Sequence, residues 1–402
     1  MSSTTTKTLP LSARAKTTAL KQPREIFTYS RDINGAYHYD AETLASAMSY
    51  FYLPDSYVDM GLDLGAGYSK FKQIPPQSDA RSFPHLLRGL LQHEEATGKK
   101  HASDIVTFRG IMTRMMSIPY NPSDGLELYV VPFDGQIFVD FDWDVELARR
   151  AEQDQRTRAT NTPDKYEYVK RCEYSGYKFE ALATIPGPWS DVSRSVIETR
   201  PRKTVNNFEQ YLSVIRTGIG AVKVTLAGEV DCCWDYLPED ASRRLGHYVE
   251  LKTSRVVENN MQVVNFEKKL FRTWCQCFLM GVGKVVYGFR DDNLILRNVE
   301  VYNTEEIPVM IKNNPLTNAT TGGSGSARKI NCTNALKWYG AVVEWINSSV
   351  DKADESKSYR LKYDPVRKLL ILNETSKEMN DSLRNGDVLT KEFVKWRQEM
   401  RK

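Results

Sequence analysis

Along residues 221–231 (AVKVTLAGEVD) apolar and polar positions alternate. Val222, Val224, Leu226 and Val230 fall on one side, and Lys223, Thr225, Glu229 and Asp231 on the other. A period of two is that of a strand with one face in the core. The same period runs through HYVELKTSR (247–255), where Val249 and Leu251 take the core side and Tyr248, Glu250 and Lys252 the other. A longer period marks 258–282, where Phe266, Leu270, Trp274 and Phe278 recur every four residues and predict a helix. Leu86, Leu87, Leu90 and Leu91 give 81–96 a helical spacing too.

Between these anchors, 127–142 (ELYVVPFDGQIFVDFD) predicts a hairpin turning at FDGQ, with a helix starting near Trp143. Residues 103–116 read as a strand or a helix carrying Arg109 and Arg114, and 144–170 as a surface helix followed by a loop. The spacing in 205–218 suits a short amphipathic helix, and 284–307 a hairpin turning at Arg290–Asn293. Residues 334–350 predict a helix, 363–373 a strand, and 388–402 a basic amphipathic ending. No sequence repeat recurs along the chain.

Residues 1–24, rich in Ser, Thr, Lys and Ala, read as a flexible arm, and 313–329 (NNPLTNATTGGSGSARK) as a flexible loop. No linker interrupts 25–390, and 25–402 is expected to be one catalytic domain of α+β class, with mixed β-sheets and flanking helices. The chain has 402 residues, 41% hydrophobic and 26% charged, and so can bury a sizeable core. Its formal net charge of +4 is too small to demand a polyanionic partner, so a nucleic-acid reading must rest on a local site. The cysteines at 172, 232, 233, 275, 277 and 332 form no CxxC pair or zinc spacing and read as reduced intracellular thiols. No apolar run approaches the ~18 residues of a membrane span.

Alternation puts Glu229 and Asp231 on one strand face, about 6–7 Å apart. If their strand pairs with 247–255, Glu250 and Lys252 join them, and three carboxylates meet one ammonium. Such crowding is costly without compensation, which a hard divalent cation supplies through oxygen ligands. Asp…Glu-x-Lys is the pattern of metal-dependent phosphodiesterases, although alone it is short enough to be a solvated strand face. A second set of residues strengthens it. YSGYKFEAL (174–182) ends an aromatic run at Glu180, TFRG (107–110) sets Arg109 beside a glycine, and WCQCF places Gln276 just off the apolar helix stripe.

TFRG, GYKFE, EVD and ELK, in this order and followed by WCQ, resemble the DXO/RAI family of RNA 5′-end decapping enzymes, and its fungal nuclear members above all. The resemblance implies a nuclease-like core with an RNA channel ending at metal ions, Mg²⁺ or Mn²⁺ and two in number. Glu180, Asp231, Glu250 and the backbone carbonyl of Leu251 would bind them directly, and Glu229 through water. Lys252 and Gln276 would contact the scissile phosphate or attacking water, and Arg109 the 5′-end phosphates. The implied substrates are single-stranded RNA 5′ ends. The implied reactions release pyrophosphate from 5′-triphosphate RNA, incompletely methylated caps as a dinucleotide, and NAD from NAD caps. Each leaves a 5′-monophosphate.

The resemblance further implies a nuclear protein that partners the nuclear 5′→3′ exoribonuclease. Trp189, beside proline in IPGPWSDVSRSVIETRPRK (185–203), would be an exposed docking anchor. Two other classes stay open at this point. One is a chiefly stabilising subunit of that exoribonuclease, which the intact acids argue against. The other is a DNA nuclease of the same D…E-x-K type, against which GYKFE and TFRG speak.

Overall fold

Alternating Val222, Val224 and Leu226 belong to strand β1 (Val222–Glu229), which lies inside a ten-stranded mixed sheet. The computed structural model describes residues 6–80, 82–122, 125–319 and 329–401. The sheet runs, edge to edge, through Lys7–Pro10, Leu369–Glu374, Tyr359–Asp364, Glu127–Phe133, Gln136–Phe141, Ile105–Phe108, β1, Gln210–Ile219, Leu20–Arg31 and Tyr37–His38. A second, six-stranded sheet contains β2 (Cys232–Cys233) and β3 (Tyr248–Arg255). Its order is Leu296–Asn303, Lys284–Arg290, β3, β2, Tyr50–Phe51 and Thr184–Ile185. The α+β architecture is thus as expected.

Helices cover both faces of the large sheet. Phe83, Leu86, Leu87, Leu90 and Phe393 form a core with Val106, Phe138 and Val214 on one face. On the other, Ile105, Val139, Ile215 and Val224 pack with the helices α1 (Arg109–Ser117), α3 (Asn260–Met280) and Cys332–Ser349. The long helix α2 (Pro163–Ala183) packs on β3 instead. There, Phe179 sits over Gly288, where an added Cβ would come within 2.6 Å of the ring.

Several local expectations needed correction. Segment 205–218 is not a helix. Gln210–Ile219 is a strand between β1 and Leu20–Arg31, and its run of buried residues on both faces obscures the period of two. The loop expected before 170 is the first part of α2, capped by Thr162 and started by Pro163. Residues 363–373 hold a hairpin turn, with Tyr359–Asp364 paired to Leu369–Glu374 and Lys368 at φ +55°.

The supposed flexible arm is also partly built in. Lys7–Pro10 pairs antiparallel with Leu369–Leu372, Leu9 packs on the core, and Leu20–Arg24 begin a twelve-residue strand. Edge pairing needs backbone groups rather than apolar side chains, so composition could not reveal it. In the expected loop 313–329, Pro315–Ala319 is a short helix whose Thr317 hydroxyl donates to Glu267, while 320–328 lie outside the described residues. All six cysteines are free thiols, and no described helix is long and apolar enough to cross a membrane.

Candidate functional site

β1 and β3 do not pair. β1 ends at Glu229 in the large sheet, Val230 and Asp231 cross over, and β2 then pairs antiparallel with the start of β3 in the small sheet. The acids therefore meet at the junction of two sheets, not across one ladder. The Leu251 amide of β3 donates to Asp231 Oδ2 at 2.6 Å and fixes the crossing strand against β3. Tyr248 and Glu250, on the face opposite Val249 and Leu251, are buried as well, because β3 has core on both sides.

Neighbouring elements bring the other groups in. Ile105–Phe108 runs parallel to β1 with Phe108 opposite Ala227, so Arg109, the first residue of α1, lands beside Gly228. A Cβ on Gly228 would stand 3.0–3.1 Å from the Arg109 side chain, so glycine there leaves the guanidinium its path. Tyr177 and Glu180, three apart on α2, share a helix face toward the cleft, and α3 contributes Gln276. Arg109, Glu180, Glu229, Asp231, Glu250, Lys252 and Gln276 line a single cleft of about 630 Å³.

Hydrogen bonds concentrate on Glu250. Arg109 Nη1 donates to its Oε2 at 3.0 Å, and Gln276 Nε2 to its Oε1 at 2.6 Å. Lys252 Nζ also donates to Oε1 and lies 4.0 Å from Asp231 Oδ2. Burial works to raise the Glu250 carboxyl, yet Lys252 and Arg109 outweigh it and hold the group below its usual range. The other acids go the opposite way. Burial, then Asp231 and Glu229, push Glu180 well up; burial, then Glu250, raise Asp231 to about 7. Burial also raises Glu229, against the pull of Arg109. Lys252 is displaced upward, the attraction of Glu250 and Asp231 exceeding the effect of burial.

Such a set of hard oxygen donors, with more negative charge than its neighbours compensate, fits divalent cations. Among the described residues, however, no three acids, histidines or cysteines stand together as a finished coordination shell. Glu250 is instead occupied by Arg109, Lys252 and Gln276. Cation binding would exchange these partners for the ion. Leu251 is buried, and its amide rather than its carbonyl makes the bond seen here.

Trp189 lies elsewhere, on a short 3₁₀ turn, 65% exposed, lining a cavity of about 470 Å³ with Tyr52, Tyr57 and Ile197. The cleft also holds groups that the sequence did not single out. Gln210 Nε2 donates to Glu229 Oε2 at 3.2 Å, and Phe71 stands 5.2 Å, centroid to centroid, from Tyr177. Tyr177 was visible within GYKFE, but Gln210 sat in the segment that looked helical and gave no signal.

Comparison with known proteins gives concordant matches. The model of the RAI1-like PD-(D/E)XK nuclease family matches residues 21–394. The decapping nuclease RAI1 of Candida albicans is 63% identical over 396 residues, covering 98% of this chain and all of the relative. That of Saccharomyces cerevisiae is 37% identical over 400 residues, covering 96% and 97%. Among solved structures, Candida albicans Rai1 in complex with pU5–Mn²⁺ superposes with a TM-score of 0.95 at 62% identity, over 98% of this chain and all of the other. Scheffersomyces stipitis Rai1 with (3′-NADP)⁺ and calcium ion gives 0.91 at 52%, with the same coverage.

Proposed function

The chain belongs to the RAI1-like PD-(D/E)XK nuclease family, and from that premise we propose that its cleft hydrolyses RNA 5′ ends to leave a 5′-monophosphate. It is a decapping nuclease in kind, acting on RNA with a divalent metal. The finer reading has three outputs: pyrophosphate from 5′-triphosphate RNA, a cap dinucleotide from incompletely methylated caps, and NAD from NAD-capped RNA. The observation that carries it is the convergence of Arg109, Glu180, Glu229, Asp231, Glu250, Lys252 and Gln276, from separate stretches of chain, in one cleft.

Glu180, Asp231, Glu250 and the Leu251 carbonyl would hold two Mg²⁺ or Mn²⁺, with Glu229 reaching them through water. The ions supply charge stabilisation at the phosphorus and activate water for in-line attack. The chain does the rest. With Glu250 among the ligands of the ions, the Lys252 ammonium and the Gln276 amide, which it now holds, would be free to contact the scissile phosphate. In the ion-free cleft Glu250 and Asp231 hold Lys252 as an ammonium, and in that form it would offer the phosphate a charge and a hydrogen-bond donor. Arg109, 8% exposed in the cleft floor, offers a guanidinium to the phosphates of the 5′ end. One centre then serves all three substrates, and only the leaving group differs.

Partner and compartment belong to the same proposal. The cavity beside exposed Trp189, lined by Tyr52, Tyr57 and Ile197 together with Arg194 and Glu198, suits docking of the nuclear 5′→3′ exoribonuclease, which consumes 5′-monophosphate RNA, and such a partner would put the protein in the nucleus. The test is direct. Purified protein and Mn²⁺ are incubated with RNAs bearing triphosphate, unmethylated cap, methylated cap or NAD ends, and with duplex DNA, and the released groups are identified. Pyrophosphate, cap dinucleotide and NAD are expected. Release of mononucleotides from duplex DNA, with RNA ends intact, would overturn the reading.

A further inference from the structure

Strand Gln210–Ile219 starts at the cleft, and its first residue faces Arg31 across the ladder. Arg31 is 2% exposed, and its guanidinium is spent on the turn that precedes the strand. Nε donates to the Phe208 carbonyl at 2.7 Å and Nη2 to that of Asn207 at 3.1 Å, while Nη1 pairs with Asp79 at 3.0 Å. The Asn206 side chain closes the same turn by accepting from the amides of Phe208 and Glu209. Asn207 Oδ1 accepts from the Ile74 amide at 2.7 Å. Residues 206–209 are therefore held from inside, and Gln210 leaves them in a fixed direction.

That direction leads to Glu229. Gln210 Nε2 is 3.2 Å from Glu229 Oε2. Glu229 needs such a contact, because Glu250 holds the hydrogen bonds of Arg109, Lys252 and Gln276. A carboxylate that acts on a metal through water must keep one orientation, and outer-shell donors supply it at a typical cost of 10–100-fold in affinity or activity when lost. We propose that Gln210 is a positioning residue of the metal centre. It orients Glu229 by donating a hydrogen bond, and the Arg31-clamped turn sets its position. The proposal rests on the metal-site reading above.

Gln210→Met keeps length and volume but removes the donor, and Gln210→Glu keeps the reach but replaces the donor with an acceptor. Mn²⁺ and non-reacting Ca²⁺ are titrated into wild type and both variants, followed by calorimetry and by the rise in melting temperature. Wild type is expected to respond, and Q210M to need about 10-fold more Mn²⁺ for the same rise, with the ion-free melting temperature within about 2 °C of wild type. Q210E should bind Mn²⁺ no better than Q210M. Equal affinity of Q210M and wild type would overturn the role of Gln210, as would tighter binding by Q210E, which would make position 210 a direct ligand. Absence of any response in wild type would instead overturn the metal reading itself.

Discussion

Arg109 Nη1 and Glu250 Oε2 lie 3.0 Å apart in the floor of the cleft, with the Glu250 side chain only 2% and that of Arg109 only 9% exposed. Glu250 therefore compensates two cations, Arg109 and Lys252. Glu180 and Asp231 instead suffer burial and the charge of the other acids. Ion-free stability should respond with opposite signs. Removing one partner of a buried pair typically costs 3–5 kcal/mol, whereas removing a repelled carboxylate relieves strain. Glu250→Gln should lower the ion-free melting temperature by several degrees. Glu180→Gln and Asp231→Asn should leave it equal or higher, yet lose the rise produced by Mn²⁺. Calorimetric scans with and without Mn²⁺ decide this, and an equal drop in all three variants would contradict the assigned electrostatics.

If one centre processes every 5′ end, a lesion there cannot be selective. Glu180→Ala or Asp231→Ala should abolish pyrophosphate release, cap removal and NAD removal together, with the circular dichroism spectrum unchanged. Loss of a direct metal ligand should cost at least ~100-fold in rate. A variant that kept triphosphate hydrolysis and lost only cap removal would require a second site.

Trp189 tests the proposed docking role separately from the chemistry. Its ring is exposed next to Tyr52 and Tyr57, whose rings are 5.2 and 5.0 Å from the buried Arg200 guanidinium, so the wall behind it is firmly held. An aromatic anchor of this kind contributes about 2 kcal/mol or more to an interface. Trp189→Ala should therefore weaken co-elution with the exoribonuclease at least ~30-fold in affinity, while RNA 5′-end hydrolysis is unchanged. Undiminished co-elution would reject the docking role.

How much of this was legible before the structure depends on which signal each element carried. β1, β3 and α3 have clean periods and were readable, and with them the direction of Glu229, Glu250 and Lys252. Motifs added information beyond period, so that Arg109, Glu180 and Gln276 could be grouped with residues whose place in the same cleft lies up to 141 positions away in the chain. What escaped was whatever depends on tertiary placement. Gln210–Ile219 is buried along almost its whole length and shows no alternation. The crossing of Asp231 from one sheet to the other is a property of two residues between strands, which no window can register. Lys7–Pro10 has no apolar run and owes its order to the backbone of Leu369–Leu372. The C-terminal helix looked merely basic and amphipathic. In fact its Arg397 is fully buried against Glu94, Asp134 and Gln136.

The same helix that begins with Arg109 carries Arg114, and its partner Glu146 gives a pH test remote from the cleft. The Glu146 carboxylate accepts two bonds from Arg114, at 2.9 and 3.0 Å, two from Arg149, at 3.1 and 2.9 Å, and one from Arg150 at 2.9 Å. Burial tends to raise its pKa, but Arg114 and Arg149 dominate and bring it from 4.5 to about 2. A carboxyl depressed by folding contributes stability above its unfolded value, and loses it as pH falls through the folded one. The window is therefore pH 4.5 down to about 2. Because the side chains of Arg149 and Arg150 are 34% and 44% exposed, screening trims the effect to roughly 2 kcal/mol. Glu146→Gln should melt several degrees below wild type at pH 7, and the gap should close progressively between pH 4.5 and 2.5. A gap that stays constant over that interval would show that Glu146 contributes through packing and not through its charge.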